Sequence, residues 1–205
     1  MGRGKVSTKN LHAIRDKQIV LDTSIIIFLA NADFRTQIIS AITQLENQNN
    51  ALFVSEITLF ELNKSSRTNA DCAQKARLLK RFTPLPLDQN RALNAGILFG
   101  LMNGSDKTIK NKEHKLACDL LIGGTVIENN NALFMTSNLS DFSAPLWKKA
   151  AEGRLIRKVS DGWALQNWFL LEFDYSKMPD EFLSEDMIAR YKGGQARLLL
   201  PAATQ

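Results

Sequence analysis

Four short apolar runs recur along the first 160 residues, Gln18–Leu21, Ala51–Val54, Ala132–Met135 and Leu155–Val159, each with the length of a strand rather than a helix. Between and after them lie segments with helical spacing: Ile25–Ala30, Phe34–Leu45, Glu56–Lys64 with Ser55 as its N-cap, Asp71–Arg81, Asp88–Met102 and Glu113–Glu128. Strands that alternate with helices predict βαβ units and an α/β fold around a parallel sheet. Asn103–Lys112 is polar and contains glycine, which predicts a loop. Past residue 145 the pattern weakens. Asp161–Leu171 reads as a further helix bearing Trp163, Trp168 and Phe169; with Phe173 and Tyr175 these aromatics are expected to pack in a core or at a homodimer contact. The 205 residues are thus expected to divide into a basic, flexible leader over 1–17, one α/β domain over 18–145, and a C-terminal extension over 146–205 packed on the domain or at an interface.

A composition of 44% hydrophobic, 23% charged and 8% aromatic residues suits a chain that buries its own core. The two cysteines, Cys72 and Cys118, lie in no CxxC pair or Cys/His cluster, which argues against a disulfide scaffold and a thiolate zinc site. The apolar stretch Ile19–Ala30 is broken by Asp22, Thr23 and Ser24. It falls short of the roughly 20 residues a bilayer requires, and no cleavable apolar leader follows the basic N-terminus. The expected setting is cytoplasmic and reducing, with no membrane contact. The net charge of +5 is segregated: residues 64–81 hold six cations against one acid, and residues 172–186 hold six acids against one cation. Such segregation fits a polyanionic partner, although solvated helix faces produce it too.

The informative anomaly is a set of acids where burial is expected. Asp22 ends the first strand, Glu61 lies on or beside an apolar helix stripe in SEITLFEL, Asp119 borders another in KLACDLLIGG, and Asp141 closes TSNLSDF after the third strand. Each has a plain alternative: Asp22 caps the next helix, Glu61 snorkels or meets a lysine, Asp119 pairs with Lys115, Asp141 starts a turn. Two follow strand ends and two lie on helices flanking that end of the sheet, so all four can converge. Carboxylates without histidine or thiolate make an oxygen-donor site, suited to Mg²⁺ or Mn²⁺ rather than Zn²⁺. Mg²⁺ usually completes its shell with water and phosphate oxygens, which points toward phosphodiester chemistry. His12 and His114 read as surface residues.

These segments, IVLDTSIII, VSEITLFEL and ACDLLIGGTVIENNNALFMTSNLSDF, resemble the PIN-domain family, known from VapC-type toxins of toxin–antitoxin pairs, over residues 18–145. The resemblance implies a three-layer α/β/α sandwich with a central parallel sheet, and a Mg²⁺- or Mn²⁺-dependent endoribonuclease that leaves 5′-phosphate ends. It implies that Asp22, Glu61, Asp119 and Asp141 bind metal and act in catalysis, with Thr23, Thr136 and Asn138 in support. RNA, an antitoxin protein and a second copy in a homodimer are the implied partners. Gly123 and Gly124 stand where relatives often carry alanine, which suggests close helix-to-sheet packing. Lys64, Arg67, Lys75, Arg77, Lys80 and Arg81, directly after the Glu61 helix, are candidates for the RNA backbone, and Lys107, Lys110, Lys112 and Lys115 form a second patch.

Two enzyme classes with a strand-terminal acid or a nucleotide site fit less well. A haloacid dehalogenase-type phosphatase needs an acid where Ser24 stands, and a dinucleotide-binding oxidoreductase needs a glycine-rich turn where DTSIII stands. The alternative from another class is a non-catalytic PIN-fold RNA-binding or scaffold protein.

Overall fold

The structure, a computed structural model, describes residues 7–64, 66, 68–105, 113–129, 131–142, 146–183, 185 and 187. The elements in chain order are β1 Ser7–Lys9, β2 Gln18–Leu21, α1 Thr23–Ala30, α2 Ala32–Glu46, β3 Ala51–Ser55, α3 Glu56–Lys64, α4 Asn69–Leu79, β4 Thr83–Leu85, α5 Gln89–Ser105, α6 Glu113–Ile127, β5 Ala132–Thr136, β6 Trp147–Val159 and β7 Gly162–Phe173. Short 3₁₀ turns lie between and after these. The result is a mixed α/β fold, with one seven-stranded sheet in the order β1-β6-β7-β5-β2-β3-β4.

The sheet is half parallel. β5, β2, β3 and β4 run parallel, whereas β7, β6 and β1 join antiparallel. The wholly parallel sheet expected from the alternation is therefore corrected, and the reason is local. Val159-Ser-Asp-Gly162 closes a two-residue hairpin, with Gly162 at φ +146°, a conformation that side-chain-bearing residues rarely adopt. Asp161–Leu171, expected as a helix, belongs instead to this hairpin and β7. Its aromatics fit neither a helical nor a strand repeat cleanly, since Trp163 and Phe169 fall on one strand face and Trp168 on the other, and pairing to β5 and β6 decides the matter. The expected boundary at residue 145 moves accordingly. Met1–Phe173 forms one compact unit and Asp174–Gln205 a second, in which Asp174 caps the turn Tyr175–Lys177 by accepting from Ser176 N and Oγ at 3.3 and 2.7 Å.

The described part of the expected leader, from Ser7 on, is not free either. Ser7–Lys9 pairs with Glu152–Arg154 of β6, and Leu11 is buried in the core. The expected loop Asn103–Lys112 begins late, because α5 remains helical through Ser105; residues 106–112 lie outside the described residues. Among the described residues no single helix is long and apolar enough to cross a membrane.

Successive residues of β2 and β5 point to opposite sides of the sheet, and both sets are buried. Ile19, Leu21, Leu133 and Met135 join Ile25, Ile38 and Ile42 of α1 and α2 in one cluster. Phe134 meets Phe142 and Trp147 through ring contacts at 4.5 and 5.9 Å. A Cβ on Gly123 would lie 2.8 Å from Leu98, 3.5 Å from Phe142 and 3.6 Å from Trp147. One on Gly124 would lie 2.5 Å from the Arg91 carbonyl oxygen. Gly123 thus lets α6 approach residues on and beside the sheet, as expected, whereas Gly124 serves a helix–helix contact with α5.

Candidate active site

The parallel strands place a crevice at their carboxyl ends. From β2 the chain proceeds to β3 and β4 on one side, while β5 occupies the other, so the topology switches direction beside β2. In open α/β sheets ligands bind outside the strand ends at such a switch point. Asp22 is the first residue past β2, and the loop after β5 carries Asn138 and Asp141.

Asp22 is held from several sides. Its N–H donates to the Met135 carbonyl at 2.9 Å, continuing the ladder to β5, and its carbonyl accepts from Ile25 and Ile26 to start α1. The side chain takes no part in that cap. Its Oδ2 accepts instead from Ser24 Oγ at 2.6 Å and Thr136 Oγ1 at 2.7 Å, which resolves the capping alternative in favour of a carboxylate turned toward β5. At 3% exposure, burial raises its pKa; the hydroxyls of Ser24 and Thr136 oppose that shift and the charge of Glu61 adds to it.

The hydroxyls are links in a longer chain of hydrogen bonds. Thr136 Oγ1 also accepts from Asn138 N at 2.9 Å, and Asn138 Nδ2 donates to Asp141 Oδ2 at 2.5 Å. Ser24 Oγ accepts from Ser137 N at 3.0 Å, and Thr23 Oγ1 donates to Glu61 Oε2 at 2.5 Å. The network ties the start of α1, the end of β5 and the Asp141 turn to α3. Ser55 Oγ accepts from Ile57 N at 3.2 Å and so starts α3 as expected, setting the phase that brings Glu61 there.

Asp119 completes the group from α6. Burial pushes its carboxyl up to about 7, followed by repulsion from Asp22, Asp141 and Glu61 in that order. The charges of all three other acids therefore act on this one residue. Lys64 opposes the rise, and its Nζ lies 3.9 Å from Glu61 Oε1.

Among the described residues no three His, Cys, Asp or Glu side chains are grouped so that they could hold a metal ion together. The donor chemistry nevertheless fits a hard divalent cation. The donors are all oxygens, and Mg²⁺ needs only one or two protein carboxylates beside its waters. His12 is exposed and the His114 side chain lies outside the described residues.

The expected cationic patch is only partly assembled. Lys64 borders the acids, and Arg77 lines a groove with Arg35, Ala70, Gln74 and Leu78. Lys75 is engaged by Leu62 O, Ser66 Oγ and Asp71 at 3.0, 3.0 and 3.1 Å. Arg81 pairs with Glu46 and precedes β4, whose start is opposite Phe53, away from the carboxyl ends of the strands. Lys80 is exposed. Arg67, Lys107, Lys110, Lys112 and the Lys115 side chain lie outside the described residues. Two residues beside the acids were missed by sequence reasoning. Ser24 reads as an ordinary first-turn serine, and Cys118, whose thiol is pushed up by burial and by Glu61, carries no motif.

No family model matches the sequence, and no curated protein does. The chain is similar to a chain in the crystal structure of VapBC2 from Rickettsia felis bound to a DNA fragment from their promoter. The TM-score is 0.42 and the identity 21%, over 62% of this chain and 93% of that one. A likeness of that size carries no argument about activity or partners.

Proposed function

We propose that this chain is a Mg²⁺- or Mn²⁺-dependent endoribonuclease of the PIN type, its sheet sandwiched between helical layers. The observation that carries the reading is the set of acids at the switch point of the sheet: Ser24 and Thr136 hold Asp22, Thr23 holds Glu61, Asn138 holds Asp141, and burial with these three acids raises the Asp119 carboxyl to about 7. Such a cluster is costly unless a cation compensates it, and acids that repel one another are kept together where their function needs them.

Asp22, Glu61, Asp119 and Asp141 would supply the one or two carboxylates that contact the metal. A bound divalent cation supplies charge for the phosphate and lowers the pKa of water. Asp22 is a carboxyl group held in place by Ser24 and Thr136, whose orientation costs nothing when the substrate arrives. Asn138 and Thr136 relay that order to Asp141, and Thr23 orients Glu61. Asp119, half-buried, is reachable from solvent and positions the attacking water. Action in the cytoplasm, an antitoxin partner and a homodimer extend this reading from the resemblance of residues 18–145.

The test is cleavage of a mixed cellular RNA pool in Mg²⁺, Mn²⁺ or EDTA, beside Asp22→Asn. Metal-dependent cutting absent from the variant supports the nuclease. Absence of both cutting and calorimetric metal binding transfers the reading to a non-catalytic PIN-fold RNA-binding or scaffold protein.

A further inference from the structure

The β6–β7 hairpin is longer than the sheet it joins. Thr136, the last residue of β5, is opposite Phe169, so Gly162–Trp168 continues past β5 with only β6, Gly153–Val159, as its partner strand among the described residues. Seven residues at about 3.3 Å each make an overhang of about 23 Å. Because β5 and β7 are antiparallel, the overhang rises from the carboxyl-end edge that holds Asp22, Thr136 and Asn138.

One face of this arm is anchored. Leu155 and Trp168 enter the core cluster, the Trp168 indole covers Gly153, and Arg157 meets Asp33 at 3.4 Å and the Phe34 ring at 5.8 Å. Gln37 exchanges hydrogen bonds with the Ile156 backbone at 2.9 and 2.7 Å. These contacts fix the arm against α2.

The other face is open to solvent. Cross-strand pairs there are Arg154 with Asn167, Ile156 with Leu165, and Lys158 with Trp163; Trp163 is 68% exposed and Leu165 56%. Toward the sheet, Lys9 is opposite Glu152, and Lys149 lies 4.9 Å over Phe169. Lys149 pairs with Glu152 at 2.8 Å, which leaves Lys9, Arg154 and Lys158 as the cations of this face's paired positions. A large exposed aromatic among excess cations, on a rigid arm at the edge of a site that itself repels phosphate, has the composition of a stacking platform for single-stranded nucleic acid.

We propose that this face of the β6–β7 arm binds single-stranded RNA, with Trp163 stacking a base and Arg154 and Lys158 holding flanking phosphates, and leads the strand to the acidic cluster. The identity of the strand as RNA rests on the nuclease reading; binding by the arm is separable from it. Trp147 and Trp168 are buried, at 5% and 0% exposure, so added quencher reports on Trp163.

The probe is a labelled twelve-nucleotide oligouridylate titrated in EDTA against the full chain. The expected result is quenching of Trp163 with protection from acrylamide, and at least about fivefold weaker binding by Trp163→Ala, given roughly 1–3 kcal/mol per stacked base. Arg154→Glu with Lys158→Glu should reduce the slope of log Kd against log salt by about 1.4, at about 0.7 per single-strand phosphate contact. Metal-dependent hydrolysis of bis(p-nitrophenyl) phosphate should be unchanged in these variants. Unaltered affinity and unprotected Trp163 would overturn the proposal, as would equal affinity for duplex RNA. A wild-type dimer dissolved by Trp163→Ala in sedimentation would overturn it in favour of an interface between copies. Should wild type hydrolyse nothing yet bind the oligonucleotide through Trp163, the nuclease reading fails and the arm stands.

Discussion

Removing the charge of Asp119 should stabilise the metal-free protein, and only above the acid range. In the folded chain burial, Asp22, Asp141 and Glu61 raise this carboxyl from 3.8 to about 7. Between those pH values the folded protein keeps a proton that the unfolded chain has released, so stability falls as pH rises through the window and levels off above it. At about 1.36 kcal/mol per pH unit the full effect is about 4 kcal/mol. Asp119 is half-buried, and solvent screening reduces that to about 2 kcal/mol. Asp119→Asn should therefore melt about 4–8 °C higher than wild type at pH 8, for a chain of this size, and within about 2 °C of it at pH 4.5. Thermal unfolding followed by circular dichroism in EDTA measures both differences. A residual decline with pH should survive in the variant, because burial also raises Asp22. Saturating Mg²⁺ should raise the wild-type midpoint at pH 8 and raise the variant's less. A variant no more stable than wild type at pH 8, or equally stabilised at both pH values, would mean that the four acids do not repel one another as a cluster.

Other substitutions separate the site from its scaffold. Asp22→Asn should retain the wild-type circular dichroism spectrum and lose RNA cleavage by at least about a hundredfold, in keeping with loss of a positioned catalytic group; full cleavage by this variant would exclude Asp22 from the site. Thr136→Val removes the 2.7 Å hydrogen bond to Asp22 and should lower kcat/KM by about 10–100-fold, as for a bond to a charged group. Gly153→Ala would set a methyl 2.2 Å from the Trp168 ring and should cost about 1–3 kcal/mol in urea unfolding. Charge reversal at Lys64 and Arg77 should flatten the salt dependence of RNA binding, while reversal at Arg81, already paired with Glu46, should leave the slope unchanged.

The local signals in the chain are strong where a side-chain period and an end signal agree. The strands Gln18–Leu21 and Ala51–Val54, the Ser55 cap and the helix carrying Glu61 are legible because an apolar run of strand length beside a capping serine has few other solutions. The four acids stand out for a related reason: a carboxylate beside an apolar stripe breaks the pattern, and one chain shows the break without any knowledge of its partners. Distance in space is a different matter. That Asp119 senses Asp22, Glu61 and Asp141 follows from the β5–β2–β3 order and from α6 packing close through Gly123, neither of which any local window contains. Residues 161–171 were ambiguous because their aromatics, on both faces of the strand, follow neither period cleanly. Pairing with β5 and β6 settled them as a strand, turned an expected appendage into the middle of the sheet, and raised Trp163 on an arm beside the acids. Sequence alone determined which residues are candidates for the chemistry, since that depends on functional groups and local burial. Tertiary structure decided which of them meet, since strand order and register are set by hydrogen bonds and packing between segments distant along the chain.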